Sequence, residues 1–502
     1  MLMRVRTNGP ITITIRGFVF LLLVLLLGCS NSEAHSHKAN AGIAVFTGMG
    51  DPLPGVANNS ADLRIFANGQ INFKEIDTLN NAQAPTGPAG GLGPLFNNVA
   101  CAACHDHPAQ GGTALFLRDI RVRDAGDGAP PAALFAVDNM LHAGPQTQGD
   151  QPIFPFGDVS PILGGQISSL SNTPSACQLE VMSKSTYSPM LPVCDPTSEG
   201  FAKGGNCVGE RLSLPLMGDG LVEATADATF QRIAAYEPAD VRGTVRMLTE
   251  IEQVGKPGSQ VSAATIAALS VPHVGRFGWK SQNATILGTA SDAYIAEMGI
   301  TNELNSTPTS TCALGVQQFG VTLQFADDPE DTVDSTGRSD IDRFTDFIRA
   351  LQPPPEIARN SMAVAGARLF AQVGCESCHT ASITTADNPA SFIPPTINGM
   401  PMSASLNKIL SRVTYHPYSD FLLHDMGALG DGITDGIGGP TMMRTMPLWG
   451  LRAREVFLHD ARATDLPTAI MLHAGQGQAA ADAFAALSST QQNQILAFLM
   501  TL

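Results

Sequence analysis

Two pentapeptides, Cys101-Ala102-Ala103-Cys104-His105 and Cys375-Glu376-Ser377-Cys378-His379, each place two thiols and an imidazole within about one turn of chain. Thiols separated by two residues can reach the two vinyl groups of one porphyrin as thioethers, and the adjacent His then faces the iron, which is the attachment pattern of c-type haem. With nine Cys and 11 His in 502 residues, a shuffled chain would give one such pentapeptide only roughly a few times in a thousand, so two by accident is negligible. The rival readings are a thioredoxin-like pair or half of a zinc site. A zinc ribbon wants its pairs roughly 15 to 20 residues apart, whereas these histidines are 274 apart and each pair carries its own His. The sequence therefore predicts two covalently bound haem c groups, held by Cys101, Cys104, Cys375 and Cys378 with His105 and His379 on the irons.

Such a motif needs helices to frame it. Ser361 is placed to cap a helix over 362–373, with Gly366 and Phe370 four apart on one face. Ser489 with Gln492 reads as a capping box, ahead of an apolar stripe of Ile495, Phe498, Leu499 and Leu502. Residues 356–502, set off by Pro353-Pro354-Pro355, read as one cytochrome c-like domain. The first motif belongs to a longer unit over 63–352, in which 143–210 is dense in Gly, Pro, Ser and Asn and reads as an insertion. The expected fold is mainly α: two cytochrome c-like haem domains, the first with a long loop-rich insertion. Cys177, Cys194, Cys207 and Cys312 are left over, enough for two disulfides in any of three pairings.

The chain is 44% hydrophobic and 15% charged, which excludes a disordered polyelectrolyte, and its 49 Gly and 34 Pro promise many turns. Twenty-nine Lys and Arg against 45 Asp and Glu give a formal charge of −16, the wrong sign for nucleic-acid binding. Arg4, Arg6 and Arg16 precede a short apolar run over 18–27, the arrangement of an export signal. That run ends in Leu26-Leu27-Gly28-Cys29-Ser30, which resembles a bacterial lipobox, so 1–28 reads as a lipoprotein signal peptide and Cys29 as the acylated residue. The competing reading is a cleaved secretory signal with an incidental Cys. Ser30 points to the outer membrane rather than the inner, and the protein is expected to face the periplasm or the cell surface. Residues 29–62 read as a flexible tether, with His35 and His37 as solvated linker residues.

Further segments carry a family resemblance. Gly91-Leu92-Gly93-Pro94-Leu95-Phe96-Asn97, Gly218-Asp219-Gly220-Leu221-Val222-Glu223-Ala224, Gly275-Arg276-Phe277-Gly278-Trp279-Lys280, Glu297-Met298-Gly299-Ile300-Thr301-Asn302, His424-Asp425-Met426-Gly427, Pro447-Leu448-Trp449-Gly450-Leu451 and Phe457-Leu458-His459-Asp460 together resemble the dihaem oxidoreductase family from about 90 to the end of the chain. That family is also labelled thiol oxidoreductase and is related to bacterial dihaem cytochrome c peroxidases. The resemblance implies a peroxide-handling N-terminal haem, a C-terminal haem that receives electrons, and an electron-donor protein such as a small cytochrome or cupredoxin. It places Trp279 between the haems and Glu297 as the acid beside the reactive iron. Burial statistics alone would make Trp279 a packing residue.

For the sixth ligand of the second haem Met426 is preferred, Met443 competes and Met446 is a weaker third. No His after the first motif matches the peroxidase pattern, leaving His107, His142 and His273 as candidates there, and Ala461 replaces the usual glycine of His-Asp-Gly. Nothing in the sequence indicates Ca2+. Two other functions stay open: a dihaem electron carrier without catalysis, and an oxidase acting on a partner protein.

Overall fold

Two close helix crossings organise the protein. The computed structural model describes residues 48–77, 100–114, 118–123, 151–153, 194–198, 207–255, 257–306, 316–318, 321–323 and 332–502. In chain order the elements that matter for the site are α1 (Pro54–Ala57), α2 (Ser60–Lys74), α3 (Cys101–Cys104), β1 (Arg118–Arg123), β2 (Gln151–Ile153), β3 (Cys207–Leu212), α4 (Asp219–Glu223), α5 (Ile286–Met298), α6 (Asp340–Ala350), α7 (Ser361–Gln372), β4 (Leu423–Asp425), β5 (Met442–Arg444), α8 (Leu466–Met471) and α9 (Ser489–Leu499). The architecture is mainly α, and its sheets are small: β1 lies antiparallel between β2 and β3, and β4 pairs with β5 so that His424 faces Met443 across the ladder. Among the described residues no helix is long and apolar enough to cross a membrane.

Helix α2 starts where the Asn59 side chain accepts from the Ala61 and Asp62 amides. It then crosses α6 at Gly69, where an added Cβ would collide with the Arg343 carbonyl oxygen. One turn on, Phe73 meets Phe347 at 4.9 Å between ring centroids. Helix α7 repeats this: Gly366 lies against the Gln494 carbonyl of α9, and Phe370 meets Phe498 at 5.3 Å. In both pairs the absence of a side chain lets the backbones approach, and the aromatic rings fill the wider end of the crossing.

Three expectations are corrected. The cap of α7 is Asn360, whose side chain accepts from the Ala363 amide, while Ser361 is already helical. The capping box of α9 is Ser488 with Gln491, one residue ahead of Ser489 and Gln492; the doubled Ser-Ser and Gln-Gln offer both registers, and the one adopted leaves Gln492 to donate to the Phe484 carbonyl. The tether does not extend to 62, because Leu53 and Val56 are buried and the Leu53 amide donates to the Ala350 carbonyl at the end of α6, docking α1 there. Pro54 at the first turn of α1 and the Asn59 cap stop and restart the chain over these residues.

Among the described residues, apolar side chains form two main cores. The larger joins α1, α2, α4, α5 and α6 and also takes in Ile383, Ile397, Tyr415, Phe421 and Trp449. The smaller draws on 363–502 only, with Phe370, Tyr418, Phe498 and Leu502 among its members. Pro353-Pro354-Pro355 therefore separates the two helix pairs but not the two cores.

Candidate haem-binding site

After α7 the chain turns at Gly374, whose φ of +93° is a left-handed conformation that suits glycine, and enters the second Cys-x-x-Cys-His motif. His379 is fixed by a hydrogen bond from Nδ1 to the Tyr418 carbonyl at 2.8 Å, which leaves Nε2 with its lone pair. Burial lowers its pKa to about 4, so the ring is neutral, the form that binds a metal. Burial pushes the Cys375 thiol up to about 12. Phe370 stands 6.2 Å from the His379 ring at 54°. A cavity of about 390 Å³ opens over the motif, walled by Cys375, Cys378 and His379 and by Met426, Met443 and His473.

Its polar wall is arranged around His424, only 2% exposed. Nε2 pairs with Asp420 at 2.9 Å and Nδ1 faces the Cys378 sulfur at 3.6 Å. Burial opposes the charge on this ring, but the hydrogen bonds to Asp420 and Cys378 overcome it and raise the pKa to about 11. With both nitrogens engaged, His424 clamps the motif rather than offering a free ligand atom. Arg454 also lines the cavity, bonded only weakly to the Pro447 and Trp449 carbonyls at 3.3 and 3.5 Å, and burial lowers its pKa to about 10. It makes no ion pair among the described residues. An underused guanidinium in an apolar cavity fits the carboxylates of a porphyrin, as the paired thiols fit its vinyl groups and the neutral imidazole its iron. The residues present therefore suit a haem.

The first motif forms α3 and has the same local frame. His105 Nδ1 bonds the Gly112 carbonyl at 3.1 Å, burial lowers its pKa, and Phe73 lies 6.1 Å from the ring, again at 54°. Ser213, just after β3, ties this motif inward: its hydroxyl donates to the Cys104 carbonyl and accepts from the Ala114 amide. The neighbouring Leu212 carbonyl accepts the indole N–H of Trp279 at 2.8 Å. Trp279 lines the cavity of the second motif and packs edge-on to His459 at 6.1 Å. Behind it a fully buried Asp431 pairs with Lys280 at 2.8 Å and Arg211 at 2.6 Å, and these cations hold its carboxyl well below the usual range despite burial.

Among the other residues singled out by sequence, Met426 and Met443 line the cavity, as does Met446. Glu297 sits half-buried in the last turn of α5, just before Gly299 ends the helix with φ +65°, and is not part of the cavity wall. His273 is taken up by Asp227 at 2.7 Å, and the His107 backbone pairs with Thr113. Ala461 has φ +60°, which explains why glycine suits that place. Cys194 is in a disulfide. Cys29, His142, Cys177, Cys312 and the Gly91–Asn97 segment lie outside the described residues. Sequence reasoning missed His473, Tyr418 and the Leu212-Ser213 pair. None of them carries a local signal in the sequence, because each acts through a partner distant along the chain.

No curated protein matches the chain significantly. The family model described as "Di-haem oxidoreductase, putative peroxidase" matches residues 197–502. The matched span is shorter than the resemblance read from sequence and leaves the first motif outside it, but it takes in Trp279, Glu297, the second motif and the whole wall of α8 and α9. This chain belongs to that di-haem oxidoreductase family.

Proposed function

We propose that the protein is an exported c-type dihaem oxidoreductase with peroxidase-like chemistry, lipid-anchored through Cys29 and facing the periplasm from the outer membrane. Haems attached at the two motifs would supply electron exchange and oxygen–oxygen cleavage, electrons entering from a small cytochrome or cupredoxin at the Cys375/Cys378/His379 side and peroxide being reduced at the Cys101/Cys104/His105 side. One observation carries this reading: Trp279 touches both motifs' surroundings. Its ring lines the cavity over Cys378 and His379, and its N–H bonds the carbonyl next to Ser213, which holds Cys104. His105 and His379 stay neutral and oriented through their Nδ1 bonds. Glu297 is the residue to move a proton between the two peroxide oxygens so that water can leave.

Stopped-flow spectra of half-reduced protein mixed with hydrogen peroxide test the reading. Glu297→Gln should slow the first spectral change by about 10² to 10⁴, while Trp279→Phe should spare it and slow the electron transfer that follows. A wild type that does not respond to peroxide makes the protein a carrier, or an oxidase of a partner, and Glu297 loses its role.

A further inference from the structure

We infer that His473, rather than Met426 or Met443, is the axial group opposite His379 at the second motif. This rests on the reading of that motif as a haem site. The geometry of His473 reproduces that of His379. It follows α8, and its Nδ1 bonds the Ala469 carbonyl at 2.8 Å, the same distance as His379 to Tyr418. A second bond, from the His473 amide to the Ile470 carbonyl at 3.2 Å, fixes the backbone, so rotamer and tautomer are both set. Nε2 is thereby left as the acceptor, and the ring lines the same cavity as His379.

The other candidates are less well prepared. Both nitrogens of His424 are engaged, by Asp420 and Cys378. His459 stands edge-on to Trp279. Met443 is held on β5 opposite His424. Met426 is the near rival, since a Cβ added at Gly477 would meet both its Cε and the His473 ring, but no hydrogen bond orients a thioether. An imidazole already aimed by a backbone carbonyl loses less freedom on binding iron than a Met with three free torsions. Two imidazoles also set a lower potential than imidazole with thioether.

The test uses full-length protein matured in a haem-attaching host, with a pyridine haemochrome count made first. Fewer than two covalent haems per chain would bring down the haem reading itself and is read separately from the ligand. With two haems present, the ferric wild type should lack the far-red sulfur-to-iron band. His473→Met should introduce that band and raise one midpoint potential, and His473→Gly should turn one haem high-spin until imidazole is added. The inference is overturned if the wild type shows the band and Met426→Leu removes it, or if the low-spin signature survives in His473→Gly. The Met variant keeps the test decisive should the Gly variant fail to fold.

Discussion

The two motifs share a frame and differ in what surrounds it. Each has a Gly-x-x-x-Phe helix, a Phe ring about 6 Å from the motif's His and an Nδ1 bond to a backbone carbonyl. The partner helices are unlike. Helix α9 buries only Ile495, Phe498 and Leu499, an ordinary amphipathic stripe. Helix α6 is buried on nearly every face, with Asp342, Asp346 and Arg349 among the buried residues. Those charges are satisfied one by one: Asp342 accepts from the Ser339 and Ile397 amides, and Arg349 pairs with Glu223 at 2.6 Å. A Cys-x-x-Cys-His motif can thus be closed by a peripheral helix with its own core or by a central helix tied by polar contacts to its neighbours. The polar contacts of the second kind commit the first motif to the fate of the main core.

Breaking the Glu223–Arg349 pair should show the largest effect. Arg349→Met leaves a buried carboxylate without its cation, at a cost of about 3 to 5 kcal/mol, and should lower the main thermal transition followed by circular dichroism. Gly366→Ala should cost about 1 to 3 kcal/mol by overpacking the α7–α9 crossing. The loss should appear as a separate early transition in the absorbance of the second haem alone, while Gly69→Ala should lower the main transition. A single shared shift for both variants would erase the distinction between the cores.

The same contrast predicts a pH dependence. Burial raises Glu250 to about 8; its Oε2 accepts from the Ala284 and Thr285 amides at the start of α5, and its Oε1 has no hydrogen-bond partner among the described residues. A carboxyl with a folded pKa above its unfolded one binds more protons folded than unfolded, so its contribution to stability falls as pH rises from about 4.5 through about 8. Glu250→Gln should flatten that slope in urea titrations, and only for the main core. The smallest effect is a gain: Ala461→Gly should stabilise by about 1 kcal/mol by relieving a left-handed alanine, read as a rise in melting temperature.

Local chemistry was legible in the sequence, and long-range closure was not. The motifs, the Gly366/Phe370 face and the terminal stripe follow from spacing alone. Gly69 and Phe73 repeat the spacing of Gly366 and Phe370, yet 31 residues separate Phe73 from His105 and nothing local ties them. Helix α6 looks solvated because it is rich in charge, and only its partners, Glu223 more than a hundred residues away among them, reveal that it is buried. His473 was hidden for the same reason, since its relation to His379 exists only once α8 closes the cavity.

Under the proposed electron path through Trp279, the buried charges near it would set the cost of oxidising the indole. Lys280 and Arg211 against one ionised Asp431 leave a net positive charge beside the indole, and burial lowers the neighbouring His459 to about 4, so it adds none. In surroundings of low polarity such a charge makes it costly to remove an electron from the ring. If Trp279 carries electrons between the motifs as proposed, it would be tunnelled through without ever holding a hole, which would spare the indole from oxidation over repeated turnovers.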